Sequence, residues 1–119
     1  MTIKECYAEM EGNYDEILTR FMKDDRIARF VLKFPKDTSF EELKTAIAAK
    51  DCETAFRAAH TLKGVAANLS LSKLQRSSSE MTEFLRAGDL EGAAGMFPEV
   101  IADYEQTVGA IARYQEANP

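Results

Sequence analysis

The chain holds a single histidine, His60, among its 119 residues. Imidazole suits nucleophilic or acid–base work near neutral pH, because its unperturbed pKa of about 6.5 leaves much of it uncharged there, with a nitrogen lone pair free to attack. On a helix, the residues one turn before and after His60 are Phe56, Arg57, Lys63 and Gly64. An aromatic wall, two cations and a missing side chain then surround one nucleophile, a set that fits phosphoryl transfer. A transferring phosphoryl group spreads negative charge over its peripheral oxygens, and Lys63 offers a mobile point charge one turn away. Gly64 has two readings. Glycine inside a helix costs about 0.8–1.0 kcal/mol relative to alanine. That cost either keeps the surface beside His60 low, so that another protein's active site can close on it, or permits a neighbouring helix to pack closely.

The segment around His60 has a helical pattern. Asp51 can cap it, no proline interrupts it, and it extends to about Leu69. Projected at about 100° per residue, Ala55, Ala58, Ala59, Leu62, Val65, Ala66 and Leu69 fall on one arc, with Thr54, Arg57, Thr61, Gly64 and Asn68 opposite. His60 sits at the edge of the polar arc. Asn68, two turns on, either hydrogen-bonds near the site or helps to end the helix, the second being favoured. Arg57 either meets an acidic partner or is a solvated charge, again the second. Arg86, on the following helix, is a weaker candidate for partner contact.

Elsewhere the apolar residues recur at three and four rather than two, and Ala, Leu, Glu, Lys and Met dominate. A first short helix spans about Ile3 to Glu11, with Gly12 as its left-handed cap. Asn13 and Glu16 form a capping box for a second, with Tyr14, Ile17, Leu18, Phe21 and Met22 on one face. A third runs from Ile27 to Phe34, limited by Pro35. Ser39 and Glu42 form another capping box for a helix from about Phe40 to Ala49, striped by Leu43, Ala46 and Ile47. Ser70 or Ser72 caps the helix bearing Leu71, Leu74, Ser78, Met81 and Leu85, closed by Gly88. Asp89 opens a last helix to about Ala117, with Leu90, Ala94, Phe97, Ile101, Tyr104, Val108 and Ile111 in register. Pro98 either kinks that helix or starts a new one. The pattern predicts an all-α fold: an antiparallel four-helix bundle with additional short N-terminal helices. Residues 1–119 read as one domain, with the bundle core at about 39–117 and the N-terminal helices at about 3–34.

A net charge of −5 argues against nucleic acid or an anionic membrane as partner, since both need clustered Lys and Arg. No apolar run approaches the roughly 20 residues that span a bilayer, and the N-terminus lacks a signal-peptide pattern, so a cytoplasmic location is expected. Cys6 and Cys52 have no zinc-site spacing and read as reduced thiols.

The run Ala59-His60-Thr61-Leu62-Lys63-Gly64-Val65-Ala66-Ala67-Asn68-Leu69 resembles the signature of the histidine phosphotransfer (HPt) family, in which histidine, lysine and glycine stand at these separations. Ser70-Leu71-Ser72-Lys73-Leu74 continues the likeness less tightly, and Ser70 stands where the family often has glycine. The resemblance implies that His60 is phosphorylated, that Lys63 supports the phosphoryl group and that Gly64 keeps the site open. It also implies a phosphorelay in which His60 carries the group between aspartates of response-regulator receiver domains. The partners are then receiver domains or a hybrid sensor histidine kinase, with Mg²⁺ on the receiver and no cofactor on this chain. A phosphoryl carrier and a monomer are expected, with no kinase activity of its own.

Two further readings compete. A phosphotransfer segment of a larger histidine kinase would be part of a longer chain, whereas this one begins at Met1 and ends soon after the last heptad, which favours a free-standing relay. A helical adaptor that binds receivers without being phosphorylated would have lost the histidine. A metalloenzyme bundle would need inward-facing Glu-x-x-His pairs, and none surrounds His60.

Overall fold

Asp51 and Asp89 each start a helix by accepting a hydrogen bond from the backbone N–H three residues on, that of Thr54 at 3.1 Å and that of Gly92 at 2.8 Å. The computed structural model, which describes every residue from Met1 to Pro119, contains seven α-helices and no strand. These are α1 (Ile3–Met10), α2 (Tyr14–Phe21), α3 (Asp24–Val31), α4 (Ser39–Ala48), α5 (Cys52–Asn68), α6 (Ser72–Arg86) and α7 (Leu90–Ala117), with a 3₁₀ turn at Phe34–Lys36. Helices α4 to α7 pack in sequence, and α4 also meets α7, so the four close into a bundle. Three-residue connections reverse the chain each time and make neighbours antiparallel. Helix α1 lies on α7 and buries Ile3, Cys6, Tyr7 and Met10 in the same apolar cluster as the bundle. No helix is long and apolar enough to cross a membrane.

The three bundle turns share one geometry. Lys50, Ser70 and Gly88 each take a left-handed backbone, with φ of 56°, 54° and 75°. In each, the next residue's N–H reaches back to a carbonyl five residues earlier, Asp51 to Ala46, Leu71 to Ala66 and Asp89 to Phe84, all at 2.9 Å. Only the last of these turns uses glycine. At the end of α1 it is Glu11 (φ 52°), not Gly12, that is left-handed. Gly12 is needed for approach: a Cβ there would lie 2.8 Å from the Tyr7 ring and 2.9 Å from the Ser70 carbonyl oxygen.

The Ser39–Glu42 box does not form, because Asp37 accepts both the backbone N–H and the hydroxyl of Ser39, and α4 begins at Ser39 itself. Neither Ser70 nor Ser72 caps α6; Leu71 precedes it without a side-chain cap. Helix α3 starts at Asp24, whose carboxylate and that of Asp25 suit a positive helix N-terminus, and Phe34 and Pro35 belong to the separate 3₁₀ turn. Met22 leaves the apolar face, standing 75% exposed in a left-handed cap. Pro98 does not restart α7, which is continuous. Pro98 and Ala94 are both exposed, so the carbonyl that proline deprives of its partner lies on the water side. The buried face of α7 is Ala93, Phe97, Val100, Asp103, Thr107, Ala110 and Ile111 rather than the purely apolar register, and Ala94 is exposed. Asp103 tolerates burial because Lys73 Nζ lies 3.7 Å away, while the Thr107 hydroxyl donates to the Asp103 carbonyl at 2.8 Å.

The N-terminal helices grip the C-terminal end of α5, where helix carbonyls lack intrahelical partners. Arg20 donates to the carbonyls of Ala67 and Asn68 at 3.2 and 2.5 Å, and the Tyr7 hydroxyl donates to that of Leu69 at 2.7 Å. The Asn13 N–H donates to that of Ser70 at 2.8 Å. Asn13 caps α2 by accepting from the Glu16 N–H, but the Glu16 carboxylate, instead of closing a capping box, accepts from the Ser70 hydroxyl at 2.6 Å.

Two predictions follow from this packing. Ser70→Ala keeps the left-handed strain and loses the bond to Glu16, so urea unfolding should show a loss of about 1–2 kcal/mol, whereas Ser70→Gly trades that bond for relief of strain and should lie near wild type. Burial, and secondarily the Glu9 carboxylate, pushes the Cys6 thiol up to about 11. The unfolded thiol releases its proton from about pH 8.5 while the native one keeps it, so stability should fall as pH rises from there towards 11. In urea titrations at successive pH values, Cys6→Ala should flatten the onset of that fall.

Candidate functional site

Helix α5 buries Ala55, Ala58, Ala59, Leu62 and Ala66 along one side. A helix period of 3.6 then leaves His60, the residue after Ala59, turned outward, and the residue is exposed. The ring of Phe56, one turn earlier, stands beside it with centroids 5.9 Å apart and planes inclined at 40°. Across the α5–α6 seam the Arg86 guanidinium lies over the Phe56 ring, 5.1 Å from its centroid. Arg86 is itself held by the Glu83 carboxylate, with Nε at 3.2 and 3.3 Å from its two oxygens.

None of the polar groups around His60 bonds to the imidazole. Arg57 pairs with Glu53 at 3.0 Å and donates to Thr54, and the Thr61 hydroxyl donates to the Arg57 carbonyl. Both members of the Arg57–Glu53 pair are well exposed, which makes it a surface pair worth about 0.3–0.5 kcal/mol. Lys63, half-buried on the next turn, enters none of the chain's ion pairs. A Cβ added at Gly64 would meet nothing within 4 Å, so no neighbouring helix uses this glycine for close packing. No group of three or more His, Cys, Asp or Glu is placed to hold a metal ion.

The candidates therefore separate. Phe56, His60 and Arg86 form one contact chain, and Lys63 and Gly64 flank it on the C-terminal side. Arg57 faces Glu53 on the solvent side. Asn68 is the last residue of α5 and lies apart, lining a cleft of about 400 Å³ with Arg20, Phe21, Phe30 and Lys33. No local sequence signal marks that cleft. Phe21 and Phe30 meet edge to face at 5.0 Å, but they lie on two short helices and share no local period. The Arg86–Phe56 contact was equally hidden, since it joins two helices.

The arrangement presents an exposed imidazole with Phe56 on one side, an unpaired ammonium one turn away and an open patch at glycine. The family model for the Hpt domain matches residues 37–110, which take in α4, α5, α6 and most of α7. No curated protein and no solved structure matches the chain. The family match covers more than half of the sequence and includes His60, Lys63 and Gly64, and the protein thus belongs to the Hpt domain family, which serves histidine phosphotransfer in phosphorelays.

Proposed function

We propose that the protein carries a phosphoryl group on His60 between the aspartates of receiver domains. The observation that carries this reading is the exposed imidazole beside an unpaired Lys63 and an open Gly64. The Nε2 lone pair of uncharged His60 attacks phosphorus in line. An N–P bond forms as the P–O bond to the receiver's aspartyl oxygen breaks, and the bonding pair leaves with the aspartate carboxylate while Nδ1 keeps its proton. Attack by a second receiver's carboxylate reverses the sequence. Lys63 stabilises charge on the phosphoryl oxygens, and Gly64 lets the receiver's active site descend onto the helix. Mg²⁺ is assigned to the receiver, where it would neutralise charge on the transferring group. Arg57 and Arg86 are the candidate partner contacts beside His60, Asn68 is a third further off at the end of α5, and the chain acts as a cytoplasmic monomer.

Incubation with a receiver charged by acetyl phosphate should label the protein with an acid-labile, base-stable phosphate. His60→Gln should abolish the label; label persisting in that variant overturns the assignment. Lys63→Ala should slow transfer roughly tenfold or more, each ~1.4 kcal/mol of lost transition-state stabilisation being a factor of ten, with unfolding free energy changed by less than about 0.5 kcal/mol. Gly64→Ala should raise stability by about 0.8–1.0 kcal/mol, because its Cβ enters open space on a helix, and yet slow transfer from the receiver. Urea melts beside transfer kinetics measure both effects.

A further inference from the structure

We infer that Phe56, clamped by Arg86, is a positioning residue for His60. The inference rests on the reading of His60 as the phosphorylated residue. The imidazole is exposed and makes no hydrogen bond, Arg57 and Thr61 are engaged elsewhere on α5 and Lys63 pairs with nothing, so the side-chain contact left to limit its rotation is the Phe56 ring, with centroids 5.9 Å apart. An exposed side chain otherwise divides its time among several staggered rotamers, and only those that aim the nucleophilic nitrogen away from the helix can meet phosphorus in line. A ring against one side of the imidazole removes part of that freedom before a partner arrives.

Phe56 would be a poor wall if it were mobile. The ring packs against the apolar core on one side, and the Arg86 guanidinium, bonded to Glu83 on α6, lies 5.1 Å from its centroid. The contact chain Glu83–Arg86–Phe56–His60 thus ties the nucleophile on α5 to the adjacent helix. Arg86 acts through Phe56 and needs no contact with the phosphoryl group. This differs from the role of a partner contact, which would matter only when a receiver is docked.

Phosphoramidate separates the two roles, because it phosphorylates without a docked protein. The His60 nitrogen bonds to phosphorus as the P–N bond of N-protonated phosphoramidate breaks and ammonia departs with the bonding pair. Phe56→Leu, which keeps an apolar side chain at the site, should label roughly two- to tenfold more slowly than wild type at unchanged melting temperature, the range expected when one aromatic pair is lost. Phe56→Tyr should restore the rate. Arg86→Ala should slow labelling by a smaller factor, and Phe56→Leu/Arg86→Ala should be no slower than Phe56→Leu alone. Three-bond couplings at His60 should change from one dominant χ1 rotamer to an average in Phe56→Leu. Wild-type labelling with Phe56→Leu, or multiplying effects in the double variant, overturns the positioning role and leaves His60 as the phosphorylation site. Label surviving in His60→Gln overturns that site, and the positioning role with it.

Discussion

Ala55, Ala58, Ala59, Leu62 and Ala66 must leave water together, and a helix can bury all five only by turning one side inward. Four of the five are alanine, so α5 is slender on that side and fits between α4 and α6. The same rotation sends His60 outward, because it follows Ala59 by a single residue. Burial thus determines the imidazole's direction, and no polar contact made by His60 is needed to set it. The neighbouring helices supply what α5 lacks: α6 brings Arg86 to the near side of the site, and α1 and α2 terminate the helix at its far end.

Two lysines show how differently the fold uses one side chain. Lys73 is spent on structure. It donates to Glu11 at 2.9 Å and to Gln106 at 3.0 Å, and faces buried Asp103, so that α1, α6 and α7 meet at one ammonium group. Glu11, which accepts from Gln106 as well as from Lys73, is held below the usual carboxylate range, and Lys73 is raised above its own. Lys63 has no such partners, and its charge is uncommitted. A cation that pays no debt to a carboxylate on its own chain can interact fully with a visiting anion.

The helical periodicity of α5 was legible because its buried residues are all apolar; on α6 it survived three buried hydroxyls, Ser77, Ser78 and Thr82, each of which donates to a carbonyl one turn earlier on its own helix. Leu71, Leu74, Ser78, Met81 and Leu85 are buried as the heptad spacing requires. Periodicity misled on α7, where Asp103 and Thr107 occupy core positions that hydrophobicity alone assigns to their neighbours. Turn chemistry was legible only at Gly88. Lys50, Ser70 and Glu11 adopt the same left-handed geometry without advertising it, since the backbone bonds that stabilise them depend on the helix ending there rather than on residue type. That His60, Lys63 and Gly64 lie together on one helix could be read from their spacing. The cross-helix partner of Phe56 and the Phe21–Phe30 cleft required three dimensions.

The clasp on the end of α5 joins parts of the chain that are made at very different times. Tyr7 waits for Leu69, Asn13 for Ser70, and Glu16 and Arg20 for the same few residues. During synthesis the N-terminal helices emerge first, yet their main polar partners lie about fifty to sixty residues further along, as the 62-residue span between Tyr7 and Leu69 illustrates. These helices are short for independent stability in water. A nascent chain therefore holds these helices open until the histidine helix is complete, and closing that long loop belongs among the slow, high-contact-order steps of folding.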